Sequence, residues 1–227
     1  MKINSAFNGF PKEGTAFLKN LERNNNRDWF QENKQVFKRA LEGPAKSFLE
    51  EMSEALAALT GESMGGKVFR IYRDVRFSKD KTPYNAHIRM SFMGHGCDTK
   101  ACGDNPMFHF SLEPETLTLG VGCFEFSKNV LPTYQDAVAN DERGASLQII
   151  LADMIRKRFR IESPEYKRVP KGFDPDHPRG PHLRRKGLTV WHDSPIPKEL
   201  SEHRAVNRCI ATYREMLPVY QWLEALN

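Results

Sequence analysis

The spacing of apolar residues changes from helical to strand-like and back along the chain, and this change constrains the fold more than any other sequence feature. From residue 45 to residue 59 apolar residues recur at every third or fourth position, as in an amphipathic helix: Ala45, Phe48, Leu49, Met52, Leu56 and Leu59. From residue 69 to residue 77 they alternate with polar residues, as in a half-buried strand: Phe69, Ile71, Val75 and Phe77. Helices and strands in separate blocks predict an α+β fold.

The remaining segments extend this pattern. Further strands are predicted at HIRMSFM, MFHFSLE and TLTLGVGCFEF, and their short links favour antiparallel pairing. Helical spacing occurs at PKEGTAFLKNLERN, NNNRDWFQENKQVFKRAL, NVLPTYQDAVAND, SLQIILADMIRKRF and RAVNRCIATYREMLPVYQWLEAL. We therefore expect an antiparallel sheet packed with N-terminal and C-terminal helices.

The length of 227 residues is enough for one full hydrophobic core. We expect a single domain over residues 1–227, with helices in 1–62, the sheet in 66–127, and helices and a basic loop in 129–227. An Asn is available to cap the second helix, and Gly43-Pro44 is expected to end it. The Pro-rich basic stretch 164–197 is expected to run extended over the surface.

Several classes of protein are excluded or disfavoured by the sequence. No apolar run is long enough for a membrane span, and the N-terminal segment lacks the apolar run of a signal peptide. Four cysteines do not indicate a disulfide framework, so a reducing cytoplasm is expected. The sequence contains no phosphate loop, no G-x-G-x-x-G and no H-E-x-x-H.

Positive charge is concentrated in two segments. Residues 67–92 contain seven Lys or Arg and two Asp, and residues 156–186 contain eleven Lys or Arg and four Asp or Glu. The net charge of the whole chain is only +5, so the rest of the chain is acidic. This asymmetry predicts a basic surface for an anionic partner if the two segments meet, and two separately solvated segments if they do not.

The first basic segment contains the stretch RIYRDVRFSKDKTPY, residues 70–84, which we predict to be the functional site. Asp74, between two arginines on one strand face, should stay ionised and hold their guanidinium groups for a bidentate grip on phosphate or carboxylate. The predicted ligand-binding residues are Arg70, Arg73, Arg76, Lys79 and Lys81. The residues predicted to orient or protonate the ligand are Asp74, Tyr84 and His87. The alternative is an ordinary structural ion pair between Asp74 and Arg76.

Arg73 falls on the opposite, apolar face of this predicted strand. A charged group facing the core needs a partner, and Asp28 and Glu32 of the second helix are candidates. Such a pair would be structural rather than functional.

The chain resembles a known family in four segments: FPKEGTAFLKNLERNNNRDWF, FRIYRDVRFSKDKTPYNAHI, LEPETLTLGVG and PKGFDPDHP. These segments are similar to the conserved hypothetical proteins of domain of unknown function 2461. The resemblance implies a single-domain, intracellular α+β protein, and it implies no particular reaction. The residues inside the family signature are Asn25, Trp29, Phe30, Arg73, Asp74, Arg76, Phe77, Lys79, Asp80, Lys81, Pro83, Tyr84 and His87.

Two other clusters contain chemically competent side chains. His95, Cys97, Cys102 and His109 are ligand types that zinc accepts, but their spacing matches no common zinc site, and reduced cysteines in a surface loop are the alternative that we favour. Asp174, Asp176 and His177 lie close in sequence and are candidates for acid–base chemistry or metal binding, although the same dipeptides also build turns. If their loop folds over the basic strand, His177 is the candidate proton carrier.

Three functions follow from these features. The first is binding, with or without catalysis, of a phosphorylated or carboxylated small molecule in a cleft between the motif cations. The second is nucleic-acid binding by the two basic segments, which a flat basic face with exposed aromatic residues would favour. The third is a structural or partner-binding role, which full pairing of the arginines with acidic residues would favour. We rank them in this order, and the sequence identifies no cofactor.

Overall fold

A computed structural model describes residues 7–94 and 104–226 of the chain. The helices in this part of the chain are α1 (Lys12–Arg23), α2 (Arg27–Phe37), a π-helical segment (Lys38–Glu42), α3 (Gly43–Thr60), α4 (Val130–Ala139), α5 (Asp141–Arg156), α6 (Gly180–Leu183), a 3₁₀ segment (Lys198–Ser201) and α7 (Ala205–Glu224). None of the described helices is both long and apolar enough to cross a bilayer.

The described strands form one six-stranded antiparallel sheet. They are β1 (Met64–Val68), β2 (Ile88–Gly94), β3 (Met107–Leu112), β4 (Thr116–Cys123), β5 (Arg160–Ile161) and β6 (Leu188–Pro195). Their spatial order is β1-β2-β3-β4-β6-β5, and Arg160 lies opposite Trp191 in the last pair. The predicted α+β fold is therefore confirmed, as are the three predicted strands that became β2, β3 and β4.

The helix of residues 27–60 continues through the predicted break at Gly43-Pro44. Asn26 caps its start, because its side-chain oxygen accepts a hydrogen bond of 3.0 Å from the Trp29 amide. Pro44 has no amide hydrogen and would clash with a carbonyl in a regular helix, and the chain adapts by forming the π-helical segment just before it. The Gly43 amide there donates to the Lys38 carbonyl, five residues back. The prediction of a helix end at this position is wrong.

The chain divides into two compact units. The first contains the described residues of Met1–Phe92, with His109–Leu119 and Asp193–Thr212, and aromatic rings contribute to its core: Phe7, Phe10, Phe48 and Phe110. The second contains the described residues of Met93–Phe108, Gly120–His192 and Tyr213–Asn227, and its core includes Phe108, Phe126, Tyr134 and Tyr220. The single domain expected from the sequence stays a prediction.

The strand predicted over residues 69–77 is not formed, and this prediction is wrong. Residues 69–87 instead form an irregular loop between β1 and β2, here called the motif hairpin, with one isolated bridge between Tyr72 and Tyr84. Backbone bonds hold its two arms together, from the amides of Phe69, Asn85 and Arg73 to the carbonyls of Arg89, Ile71 and Pro83.

Two features of the motif hairpin explain the absence of a regular strand pair. Pro83 cannot donate to a ladder. The carboxylates of Asp74 and Asp80 accept from the amides of Arg76 and Thr82, and such local bonds compete with strand pairing.

The stretch 164–197 is not extended surface chain throughout. Its last third contains β6, which lies between β4 and β5 in the sheet and begins with the buried residues Leu188, Thr189 and Val190. Gly120 of β4 leaves room for Trp191, because a Cβ atom there would lie 2.3 Å from the indole Cε3. The run of β-branched and aromatic residues in LTVWH was the signal for this strand.

Candidate functional site

The arms of the motif hairpin are fixed to the helices of the first unit. The Tyr84 ring stacks on Phe30 of α2, with centroids 4.1 Å apart and an interplanar angle of 14°. The side chain of Asn25 clamps the Tyr84 backbone: Nδ2 donates to its carbonyl over 2.8 Å, and Oδ1 accepts from its amide over 3.1 Å. Tyr84 is buried, and burial raises the pKa of its phenol. Tyr84 therefore anchors the hairpin, and a proton-transfer role for it stays a prediction.

Arg73 does not pair with Asp28 or Glu32, so that prediction is wrong. Its guanidinium group donates to the carboxylate of Asp80 and to the hydroxyl of Thr82, both within the motif hairpin. Hydrogen bonds from the Thr82 amide and then from Arg73 lower the pKa of Asp80 to about 2. The irregular backbone turns this arginine towards its own loop.

Asp74 and Arg76 form the bidentate pair that the sequence indicated. Nε of Arg76 lies 3.0 Å from Oδ1 of Asp74, and Nη2 lies 2.7 Å from Oδ2. The pKa of Asp74 is lowered mainly by this bond, with a smaller contribution from the charge of Arg70. Both side chains are exposed, so the pair orients the guanidinium group more than it stabilises the fold.

The other predicted site residues of the motif hairpin have different environments. The ammonium group of Lys81 donates to the Val75 carbonyl over 3.0 Å. Arg70 and Lys79 are exposed and form neither a hydrogen bond nor an ion pair within the described part of the chain. His87 is half-buried, and burial, followed by the charges of Arg89 and Arg73, lowers its pKa to about 4. The structure thus brings Arg73, Asp74 and Arg76 into pairs with carboxylates or arginines of the same loop.

Three aromatic side chains of the motif hairpin are exposed. Phe77 is 96% exposed, and Phe69 and Tyr72 are 46% and 47% exposed. The prediction that Phe69 and Phe77 face the core is wrong, because the alternation of a strand does not apply to an irregular loop. The exposed ring of Phe77 lies 5.9 Å from the guanidinium carbon of Arg76.

A second site lies in the loop between β5 and β6, in the second unit. Here the loop forms a pocket of about 430 Å³ that is open to solvent, called the basic pocket below. Its lining residues are Lys167, Arg168, Val169, Pro175, Asp176, His177, Gly180, Pro181 and Arg184. Three cations and one carboxylate give this lining a net charge of +2 when the imidazole is neutral.

The loop that carries the basic pocket is held in place by Arg179, which is buried. Nε donates to the Val138 carbonyl over 2.7 Å and Nη2 to the Ala139 carbonyl over 2.8 Å, so the guanidinium group caps the end of α4. Gly144 of α5 makes this approach possible, since a Cβ atom there would lie 2.5 Å from Nε of Arg179. The loop that carries the pocket is therefore tied to two helices.

Arg184 joins the two ends of the pocket loop. Its backbone carbonyl accepts from the Tyr166 amide over 2.9 Å, and its Nη1 donates to the Lys167 carbonyl over 3.3 Å. These bonds place Arg184 beside Lys167 and Arg168. Sequence reasoning did not single out Lys167 or Arg168, and the only available signal was the excess positive charge of residues 156–186.

His177 is fixed by a backbone bond within this loop. Its Nδ1 accepts from the Arg179 amide over 3.0 Å, so in the neutral imidazole the hydrogen is on Nε2. Of the predicted cluster, Asp176 and His177 line the pocket. Asp174 does not line it, and its carboxylate instead accepts from the Asp176 amide over 2.9 Å and shapes the turn.

A buried polar cluster lies near the pocket loop in the same unit. The Tyr134 hydroxyl donates to the His182 carbonyl over 3.1 Å, and burial raises the pKa of this phenol. Arg185 is buried and donates to the Glu162 carbonyl, and burial lowers its pKa. Nδ1 of His182 has no hydrogen-bond partner among the described residues, and burial together with Arg185 lowers the pKa of this imidazole.

The predicted zinc-type cluster falls largely outside the described residues. This is true of His95, Cys97 and Cys102. His109 is described, and it is buried in β3.

Comparison with known proteins identifies the family of the chain. A search of curated proteins found no match. The model of one family, the conserved hypothetical proteins of DUF2461, matches residues 13–222, which include the motif hairpin and the basic pocket. The chain therefore belongs to the DUF2461 family of conserved hypothetical proteins, as its sequence motifs indicated.

Proposed function

We propose that this protein binds a small molecule with a phosphate or carboxylate group, and that the ligand occupies the basic pocket. The observation that supports this most directly is the lining of the pocket, where Lys167, Arg168 and Arg184 surround one concave volume together with a single carboxylate. Charge-assisted hydrogen bonds from such groups are the usual means of anion recognition. The volume of about 430 Å³ is within the range of small-molecule sites.

We favour this pocket over a site between Arg70, Arg76, Lys79 and Lys81. Asp74 already binds both nitrogens of the Arg76 fork, and the Val75 carbonyl accepts from Lys81. An incoming anion would have to displace these partners. In the basic pocket three cations face a single carboxylate, so most of their charge is available to a ligand.

The polar groups suggest how a ligand would be oriented. Arg168 and Lys167 would hold the anionic group, and Nε2–H of His177 would donate to one of its oxygens. Asp176 would accept from a hydroxyl or amino group elsewhere on the ligand, which would select phosphorylated sugars or nucleotides over plain dicarboxylates. A cytoplasmic location, which the low cysteine content favours, would expose the pocket to such metabolites.

The proposal is tested by measuring binding with paired ligands that differ only in the anionic group. Isothermal titration calorimetry should show that adenosine monophosphate or ribose 5-phosphate binds and that adenosine or ribose does not. Replacing Arg168 by Gln removes a charge-assisted bond and should weaken binding by roughly 10- to 150-fold. Lys171→Gln is the matched control, because Lys171 is an exposed cation of the same loop that does not line the pocket.

Two results would contradict the proposal. One is the absence of binding for all phosphorylated and carboxylated compounds tested, with inorganic phosphate and citrate included. The other is an equal loss of affinity in Arg168→Gln and Lys171→Gln, since this would indicate attraction by overall charge instead of a defined pocket. Thermal unfolding of each variant, without ligand, verifies that the fold is retained.

A further inference from the structure

The motif hairpin exposes an unusual combination of side chains for a connecting loop. Residues 69–87 contain five Lys or Arg and two Asp, a net charge of +3. Phe69, Tyr72 and Phe77 are exposed on the same loop. A ring as exposed as that of Phe77 contributes nothing to the core, so its presence calls for a role at the surface.

We infer that the motif hairpin is a binding surface for single-stranded nucleic acid, in which bases stack on its exposed rings and its cations contact phosphates. Every nucleobase has a π-face, so exposed aromatic side chains bind bases without a requirement for sequence. This site is distinct from the basic pocket, because it is formed by other residues in the other unit.

Some cations of the hairpin are available for contacts with phosphates. Arg70 and Lys79 are exposed and make no hydrogen bond within the described residues. Asp74 holds the Arg76 guanidinium group 5.9 Å from the centroid of the Phe77 ring, so a base stacked on Phe77 would have a cation beside it. Positive charge next to an exposed ring is the combination that nucleic-acid-binding grooves use.

Hydrogen bonds and ring stacking hold the arms of the hairpin in place. Asn25 clamps Tyr84 from both sides, and the Tyr84 ring stacks on Phe30. Arg73, Asp80 and Thr82 form a closed set of hydrogen bonds inside the loop. A surface ordered before binding loses less conformational entropy when its partner arrives.

A bilayer surface is a less suitable partner for the same loop. Membrane binding by such a loop depends on the apolar area that it buries. Here Phe77 is the one ring that is almost fully exposed among the described aromatic residues of the hairpin, while Phe69 and Tyr72 remain about half-covered by the protein. Half-covered rings offer little apolar area for insertion into lipid.

The experiment measures fluorescence anisotropy of labelled oligonucleotides of about 12 nucleotides, a length within the range of single-strand sites. Oligo(dT), oligo(rU) and a duplex of the same length are compared, together with vesicles containing anionic lipid. Phe77→Ala should weaken binding of the single strands by roughly 5- to 150-fold. Phe77→Trp should preserve it, and Ile149→Ala, which removes an exposed apolar side chain from α5, should leave it unchanged.

Salt dependence tests the cations separately from the ring. Each phosphate contact contributes roughly 0.7 to the slope of log affinity against log salt concentration for single strands. Lys79→Gln should lower that slope by about this amount, whereas Lys128→Gln, at an exposed lysine outside the hairpin, should not change it.

The inference is overturned if the single strands do not bind, if Phe77→Ala binds them as wild type does, or if duplex binds as tightly as single strand. It is also overturned if only the anionic vesicles depend on Phe77. Because Phe77 is almost fully exposed, its replacement is expected to leave thermal unfolding unchanged, which separates loss of binding from loss of fold. Failure here does not affect the basic pocket, whose test uses other ligands and other variants.

Discussion

At the scale of single residues, the arginines of this protein have different roles because their partners differ. Arg179 is buried and donates to two main-chain carbonyls at the end of α4, so the fold depends on its geometry. Arg76 is exposed and pairs with an exposed carboxylate, so it contributes little to stability and is positioned for contacts outside the protein. An arginine's burial, rather than its presence in a motif, therefore distinguishes a structural role from a binding role.

We predict that Arg179→Lys lowers the free energy of unfolding by about 2 kcal/mol, because one ammonium group cannot replace two directed bonds to buried carbonyls. Asp141→Asn should cost less than about 1 kcal/mol, since Asp141 is exposed and its bond to Arg179 is 3.1 Å long. Urea unfolding followed by circular dichroism measures both values. A cost for Asp141→Asn as large as that for Arg179→Lys would show that the ion pair, not the carbonyl bonds, holds this arginine.

The sequence predicted the ion pair that depends on local geometry and missed the one that depends on the path of the backbone. Asp74 and Arg76 are two positions apart, so their pairing needed only local geometry, and it was predicted correctly. The partner of Arg73 depended on whether the backbone around it formed a strand or an irregular loop. Side-chain direction follows from the backbone, and here the backbone was decided by Asp74, Asp80 and Pro83 together.

At the scale of elements, two prolines of the described chain lie in helical stretches with at least four helical residues before them, Pro44 and Pro218. Pro44 is accommodated by the π-helical segment just before it. Pro218 lies inside α7, is exposed, and is followed by six further helical residues. A proline inside a helix removes one backbone hydrogen bond, so α7 is held together by packing in spite of this residue.

We predict that Pro218→Ala stabilises the protein by about 1–2 kcal/mol. Alanine restores a donor for the Arg214 carbonyl and has a high helix propensity, and these gains exceed the entropy that proline removes from the unfolded chain. Chemical denaturation measures the change. Ala211→Gly, at another exposed position of α7, is the control and should destabilise by about 0.5–1 kcal/mol. A loss of stability in Pro218→Ala would mean that α7 needs the bend that proline imposes.

Long elements with a strong period were predictable, and short ones were not. The strands β2, β3 and β4 and the helices α1, α3, α5 and α7 follow from apolar spacing. The strands β1 and β5 have five and two residues and carry too few side chains for a period to show. The strand β6 was missed because it lies in a basic, Pro-rich stretch, a composition that is typical of loops. It pairs with β4 and β5, and β4 is distant from it in sequence.

At the scale of the whole molecule, half-buried imidazoles and a paired carboxylate make stability depend on pH in two steps. The pKa values of His87 and His182 are lowered, so the folded protein binds fewer protons than the unfolded chain as pH falls below the ordinary histidine pKa of about 6.5. The free energy of unfolding therefore decreases as pH falls from about 6.5 towards 4. The free energy of unfolding decreases a second time as pH falls from the ordinary Asp pKa of about 3.9 to about 2, where Asp80 becomes protonated in the folded protein.

We predict that the first step is smaller in His87→Gln than in wild type. Urea unfolding at pH 7 and at pH 5 measures this step. The free energy of unfolding should decrease more between these two pH values in wild type than in His87→Gln, because glutamine does not titrate. His203→Gln, at an exposed imidazole, is the control and should keep the wild-type loss. Equal losses for wild type and His87→Gln would contradict the lowered pKa of His87.

The two basic segments of the sequence belong to different compact units, and each has its own structure. The first forms the motif hairpin, where acidic neighbours and a carbonyl engage three of its cations. The second contributes three cations to the basic pocket. A count of charges in the sequence does not show whether the cations of a segment line one pocket, as those of the second segment do.

The sequence by itself determined the fold class, the order of the main helices and strands, the cap at Asn26 and the pair of Asp74 with Arg76. Each of these depends on residues that lie close together in the sequence, so the local spacing of residue types specifies them. Only the tertiary structure decided the irregular path of residues 69–87, the position of β6 and the basic pocket. These depend on atoms far apart in sequence, such as Arg179 on the carbonyls of Val138 and Ala139, and no local pattern records which distant groups will meet.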